Sequence, residues 1–187
     1  MKAKRLTRSF YTRSTLVVAK DLLGKYLVRQ IGKKKLIGKI IETEAYLGPR
    51  DQASHAFKGK KTKRNQAEFL EGGHIYIYLV YGRYWQLNIT TFKKGKPECV
   101  LIRAIEPIKA DFHLTNGPGK LCQWLQLNKS FYGEDLTTSK RIWLEDWGEK
   151  IKSSEIKATP RIGIDYAGPY WSRKKWRFLL EKPLEKR

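Results

Sequence analysis

The stretch His74-Ile-Tyr-Ile-Tyr-Leu-Val-Tyr-Gly-Arg-Tyr-Trp-Gln-Leu-Asn-Ile-Thr-Thr-Phe92 reads as two β-strands joined by a tight turn. Side chains alternate across a strand, so Tyr76, Tyr78 and Val80 share one face while Ile75, Ile77 and Leu79 share the other. Tyr81-Gly82-Arg83 supplies the turn, and Tyr84 to Phe92 the return strand. A second turn, Lys93-Lys94-Gly95-Lys96-Pro97, leads into a third strand from Glu98 to Ile108. Three strands with short glycine-containing turns make an antiparallel meander.

The remainder of the chain extends this sheet. Arg13 to Gly24 reads as a short helix that Ser14 or Thr15 can cap, with Leu16, Ala19 and Leu23 on one face and Gly24 at its close. Two strands follow, Lys25 to Ile31 and Leu36 to Leu47, joined by Gly32-Lys33-Lys34-Lys35. Pro49 to Arg64 is polar and long for a connection, which points to function. Asn65 to Leu70 reads as a short helix, and Pro118 begins another with Leu121, Cys122, Trp124 and Leu125. Strand-like pieces at Lys140 to Leu144, Pro160 to Ile164 and Trp176 to Glu181 complete the chain. The expected architecture is a single α+β domain over residues 1–187. It has a curved, mainly antiparallel sheet, short flanking helices, and a loose basic tail over residues 1–9.

The chain has 187 residues, with 39 Lys and Arg against 18 Asp and Glu, a formal net charge of +21. At 41% hydrophobic it has enough apolar surface for a core, so it is not a disordered basic tail. Such an excess of charge favours a polyanionic partner, either nucleic acid or an anionic membrane surface. No run approaches the roughly 20 apolar residues of a membrane span, and Met1 to Ser9 lacks the apolar run of a signal peptide. Cys99 and Cys122 stand in apolar settings and read as buried free thiols in a reducing compartment. With His55, His74 and His113 they show no zinc-ligand spacing, so no metal and no cofactor is expected.

Leu36 to Leu47 carries the chemistry. Strict alternation places Leu36, Ile40, Glu42, Glu44 and Tyr46 on one side and Ile37, Ile41, Thr43, Ala45 and Leu47 on the other. A face that turns from apolar to two carboxylates and a tyrosine suggests a core opening into a cleft, where a carboxylate can serve as general base. An exposed face with both glutamates paired to lysines fits the periodicity equally well. Arg103 lies within the apolar run Cys99-Val-Leu-Ile-Arg-Ala-Ile105 and needs an anionic partner, for which Glu42 or Glu44 is the natural choice. Tyr46, Tyr78 and His55 could wall a planar ligand, and Tyr81 beside Gly82 and Arg83 could wedge into a base stack. Tyrosines half-buried in a sheet are the plainer account of the same residues.

Three functions compete at this level. One is an enzyme acting on a flat group in nucleic acid. Another is a Mg²⁺-dependent nuclease using Glu42, Glu44 and Asp51, although Arg103 would compete with the cation. The third is a DNA- or RNA-binding module, which leaves a Glu–Arg pair within apolar strands unexplained.

Seven ordered motifs add to this reading: Glu42-Thr-Glu-Ala-Tyr-Leu-Gly48, His55, Tyr76-Ile-Tyr-Leu-Val-Tyr-Gly82, Leu87-Asn88-Ile89, Leu101-Ile-Arg-Ala-Ile-Glu-Pro107, Gly117-Pro-Gly-Lys-Leu-Cys122 and Pro160-Arg-Ile-Gly-Ile164. Together, from about Phe10 to Leu180, they resemble the 3-methyladenine (alkyladenine) DNA glycosylases of mammals and many bacteria. The resemblance implies a compact α+β domain that acts on double-stranded DNA containing damaged purines. It implies a monomer inside the cell, with no membrane partner, that flips the damaged nucleotide out and leaves an abasic site. By the same resemblance Glu44 activates water, Arg103 accompanies it, and Tyr46, His55 and Tyr78 stack around the extruded base. Asn88 would reject guanine through its exocyclic amine, and Tyr81 would fill the gap in the duplex. Lys63 stands where that family often has proline, and Arg83 follows the wedge turn at a variable position. Arg83, Lys120 and Arg64 are candidate contacts to the DNA backbone. So, among the lysine-rich segments, are Lys33 to Lys35, Lys93, Lys94 and Arg173 to Lys175.

Overall fold

The computed structural model describes residues 3–181. Among the described residues, nine strands form one sheet: β1 (Lys4–Arg5), β2 (Tyr26–Ile31), β3 (Lys34–Tyr46), β4 (Ile75–Val80), β5 (Tyr84–Thr90), β6 (Cys99–Pro107), β7 (Ile142–Asp146), β8 (Ile156–Thr159) and β9 (Arg177–Leu180). Their order is β1-β7-β2-β3-β6-β5-β4, with β9 joining β3 and β8 joining β9, and every pairing is antiparallel. Four short α-helices accompany it among the described residues: α1 (Arg8–Tyr11), α2 (Thr15–Asp21), α3 (Pro118–Trp124) and α4 (Gly168–Ser172). The fold is α+β with an open sheet, and β4-β5-β6 is the meander read from the sequence.

Alternation along the strands divides the sheet into two environments. Ile75, Ile77, Val100 and Ile102 enter the main core with Val18, Ala19 and Leu22 of and beside α2 and Leu121, Cys122 and Leu125 of and beside α3. Burying each such aliphatic side chain stabilises the fold by about 1.5–3 kcal/mol. The intervening Tyr76 and Cys99 face the other way, into a small cluster with Ala67, Tyr46 and Tyr78. That second face is not covered by a long helix. The loops between β3 and β4 cover it, and a cavity lies between them and the sheet.

Several local expectations change. Residues 4–9 are not a loose tail: β1 pairs with β7, Leu6 is buried, the Arg5 guanidinium lies over the Trp143 ring and Arg8 pairs with Asp135. Ser14 precedes α2 without a capping bond, and Thr15 spends its hydroxyl on Thr91 and Glu98. Asn65 to Leu70 forms only a 3₁₀ turn over Gln66–Phe69. Pro160 to Ile164 is not a strand; Pro160 lacks an N–H for a ladder, Gly163 has φ +73°, and a buried arginine between them turns the chain inward.

Strict alternation also fails within β3. Its register against β6 runs Ile40↔Ile105, then Glu42↔Ala104, then Thr43↔Ile102, so Ile41 and Arg103 are both passed over. These two opposed bulges reset the faces. Ile40 therefore lies in the main core with Ala45, while the Thr43 hydroxyl donates to the Ala19 carbonyl. Glu42, Glu44 and Tyr46 project to the cavity side.

Candidate active site

The bulge at Arg103 frees its side chain from the ladder and brings it across β3. Its Nε donates to Glu42 Oε1 at 2.9 Å, and its Nη1 lies 3.3 Å from Glu44 Oε1. Arg177 of β9 also donates to Glu42 Oε1, at 2.7 Å. Both glutamates are thus held by arginine, rather than one of the two as the sequence suggested. Glu42 is the structural partner shared by two guanidinium groups. Glu44 is fully buried.

Glu44 is held from three sides. The Tyr46 hydroxyl donates to its Oε2 at 2.8 Å, the Ile162 amide donates to its Oε1 at 2.9 Å, and Arg103 completes the set. Burial pushes the Glu44 carboxyl above the usual 4.5, opposed by Arg103, the Ile162 N–H and the Tyr46 hydroxyl. All three partners line a cavity of about 430 Å³, so the carboxylate stands directly behind the cavity wall.

The rest of the wall is aromatic. Tyr46, His55, Tyr76, Tyr78 and Tyr166 line it, with Asn88, Arg64, Glu68 and Cys99. His55 and Tyr78 meet edge to face at 4.7 Å and 75°, and Tyr76 and Tyr78 are tilted by 37°, so these rings are not a parallel sandwich. The Tyr76 hydroxyl bonds His55 Nδ1 at 2.7 Å. Burial first, and then Arg64, depress the His55 pKa to about 4, which leaves the imidazole neutral at physiological pH although its outer edge meets solvent. One face of the Tyr46 ring carries the Arg161 guanidinium at 4.7 Å, which leaves only the opposite face for a ligand.

Arg161 and Asp51 are the main site residues the sequence reading passed over or misassigned. Their side chains are fully buried and form an ion pair, with Arg161 Nη2 donating to Asp51 Oδ1 at 2.9 Å and Nη1 donating to the Ala45 carbonyl at 2.9 Å. Asp51 in turn accepts from the amides of Leu47 and Ala53. The pair ties the chain after β3 to the segment that presents the Ile162 N–H. The Pro160-Arg-Ile-Gly-Ile164 run held the signal, an arginine between apolar residues, but its partner lies 110 positions away. With Glu42, Glu44 and Asp51 each engaged by arginine, these three carboxylates do not converge on a cation. Among the described residues no group of three or more His, Cys, Asp or Glu does so either.

At the cavity mouth, the β4–β5 turn presents Tyr81 at 93% exposure with φ +51°, followed by Gly82 at φ +65°. A tyrosine in the left-handed region, almost bare of neighbours, is costly to keep for packing alone. Arg64 is exposed, but it donates to the Leu79 carbonyl at 3.0 Å and lies over the Tyr78 ring at 5.2 Å, so it braces the hairpin. Arg83 is exposed beside Tyr84, and Lys120 is exposed and bonded to Asn116. Lys58, Lys60, Lys61 and Lys63 are exposed along the loop that covers the cavity. Asn88 is buried, with its Nδ2 donating to the Gln86 carbonyl and its Oδ1 3.9 Å from Cys99 Sγ.

The open α+β sheet thus carries a braced carboxylate behind an aromatic cavity, with exposed lysines along the loop that covers it. The sequence pattern of the methylpurine-DNA glycosylase family matches residues 9–183, and the chain belongs to this family of N-glycosyl hydrolases. It is 46% identical over 184 residues to a protein of Clostridium novyi (strain NT), covering 88% of this chain and 89% of that one. A protein of Methanocella arvoryzae is 45% identical over 186 residues, covering 92% and 90%. A third, from Desulfitobacterium hafniense (strain Y51), is 42% identical over 198 residues, covering 95% and 96%. All three bear the name "Putative 3-methyladenine DNA glycosylase".

Proposed function

We propose that the protein excises alkylated and deaminated purines from duplex DNA by hydrolysing the N-glycosidic bond, leaving an abasic site. The observation that carries this is the Glu44 carboxylate, buried and held by Arg103, Tyr46 and the Ile162 N–H behind the wall of a cavity of about 430 Å³. The family match supports the substrate class. A glycosylase cannot reach C1′ within a stacked duplex and must extrude the nucleotide, at a cost of a few kcal/mol. Tyr81 occupies the space left behind, and the base enters between Tyr46, His55 and Tyr78.

The electrostatics suit a base made cationic by alkylation. The tyrosine faces attract positive charge, and a neutral His55 does not repel it. The amide nitrogen of Asn88 blocks the exocyclic amine of guanine. Water on the cavity side of the Arg103 cluster attacks C1′ and passes a proton to Glu44, whose charge also stabilises the developing oxocarbenium. Lys120, Arg83 and the exposed lysines of the 58–63 loop hold the phosphates. The protein acts as a monomer, in the compartment that holds the DNA, and needs no cofactor.

Duplex oligonucleotides with single defined lesions, followed by alkaline cleavage, test the reading. Base release without strand breaks before alkali, unaffected by EDTA, is the expected result. Strand breaks abolished by EDTA would replace it with the nuclease. Glu44→Gln is expected to keep damaged-duplex binding while losing about 10²–10⁴-fold in release. Near-normal release by that variant removes Glu44 from the role.

A further inference from the structure

Glu68 lies on the inner wall of the base cavity and the glycosidic step described above does not use it. Its side chain comes from the 3₁₀ turn Gln66–Phe69 and is 1% exposed. One carboxyl oxygen, Oε1, accepts from Cys99 Sγ at 3.5 Å. The other, Oε2, is buried without a hydrogen-bond partner. A buried unsatisfied carboxyl oxygen is costly, and a binding site is where such a group persists. The facing groups are Cys99 on β6, Tyr76 and Tyr78 on β4, Tyr132, and Asn65 one turn before. Among the described residues no basic side chain forms an ion pair with it, so only the Cys99 thiol and the Asn65 amide work against burial to favour the carboxylate form.

We infer that Glu68, protonated, donates through Oε2 to an acceptor atom of a neutral damaged purine and protonates that base as it leaves. The inference rests on the proposed excision reaction. The geometry assigns the proton: Oε1 already accepts from the thiol, so Oε2 is the hydroxyl oxygen, free to donate. A cationic alkylpurine needs no such help, because breaking its C1′–N9 bond releases a neutral base. A neutral lesion such as hypoxanthine leaves as an anion unless a proton arrives. In the balanced step, water adds to C1′ and loses its proton to Glu44. The C1′–N9 electron pair goes to the purine, and the Glu68 proton goes to the purine nitrogen or oxygen it faces. Glu68 is left as carboxylate and regains a proton from solvent. Burial, opposed by the nearby Cys99 thiol and Asn65 amide, raises the Glu68 pKa to about 7, near the optimum for a general acid at neutral pH.

The test is single-turnover release of hypoxanthine and of 7-methylguanine from otherwise identical duplexes, followed across pH with saturating enzyme. The wild-type protein is expected to release hypoxanthine along a bell-shaped profile whose alkaline limb falls near pH 7, and to release 7-methylguanine with no such limb. Glu68→Gln and Glu68→Leu are expected to lower the hypoxanthine-to-7-methylguanine ratio by about 10²-fold and to abolish the alkaline limb. The leucine variant decides if the glutamine variant fails to fold, because it leaves no unpaired polar atom. An unchanged ratio, or an alkaline limb that survives in the variant, overturns the role of Glu68 while leaving excision intact. Absence of release from both lesions by the wild type overturns the excision reading itself, and this inference with it.

Discussion

Glu44 and Glu68 are two buried carboxyls on one cavity whose surroundings set them apart. Glu44 is offered an arginine, a backbone N–H and a tyrosine hydroxyl, all of which favour its ionised form against burial. Glu68 is offered only a thiol and an amide. Base release from cationic lesions should therefore decline only as the pH falls through the Glu44 pKa, with a midpoint above 4.5 in single-turnover rates. Glu68 also makes a stability prediction. Its folded pKa, about 7, lies above the unfolded 4.5, so the folded state binds this proton more tightly. Stability is then full below pH 4.5 and is lost as the pH rises towards 7, by about 3 kcal/mol in all. Glu68→Leu should raise the melting temperature relative to wild type at pH 8, and the advantage should shrink at pH 5.

Among the elements, the bulged β3–β6 pair and the Asp51–Arg161 tie do most to assemble the site. Removing one partner of a fully buried ion pair leaves an uncompensated charge, so Asp51→Ala or Arg161→Ala should cost about 3–5 kcal/mol in urea unfolding. Base release should fall with it even where the variant remains folded, because the Ile162 N–H loses its anchor on Glu44. Gly48 closes the same corner: at φ +62° a Cβ there would stand 2.2 Å from the Pro97 carbonyl oxygen. The β4–β5 hairpin acts separately. Tyr81→Ala removes a ring that packs against almost nothing in the free protein, so stability should hold. Single-turnover release should fall about 10-fold or more, in line with roughly 1–3 kcal/mol of lost stacking, while affinity for undamaged duplex changes little. A parallel loss on all DNA would contradict this role for Tyr81.

For the whole molecule, the charge of +21 does not act at one place. Lys58 to Lys63 lie exposed on the loop between the cavity-lining residues His55 and Arg64, whereas Lys33 to Lys35 lie at the far end of β3, up to about 40 Å of strand from Tyr46. Only part of the excess can meet the phosphates of one engaged site at a time. Affinity for undamaged duplex should fall by about 10³–10⁵ between 50 and 200 mM salt if 6–10 phosphates are neutralised. A shallower slope in a fluorescence-anisotropy titration would mean that few of these lysines touch DNA. No helix of the described residues is long and apolar enough to cross a membrane.

The sequence by itself determined the meander, the buried thiols and the presence of an arginine that needed an acid. Each is a local matter of strand alternation, turn residues, or a charge embedded in an apolar run. It also carried the family, because seven short motifs in order are specific together. Tertiary structure alone decided the rest. Which arginine reaches which glutamate depends on bulges that alternation cannot foresee. Pro160 to Ile164 became a turn because Arg161 finds Asp51 across 110 residues, and the pairing of distant charges outweighs a five-residue strand propensity. Residues 4–9 are fixed because Glu145 and Asp146 on β7 meet them in space. Burial and partner choice set the state of a carboxyl, and both are properties of the folded chain.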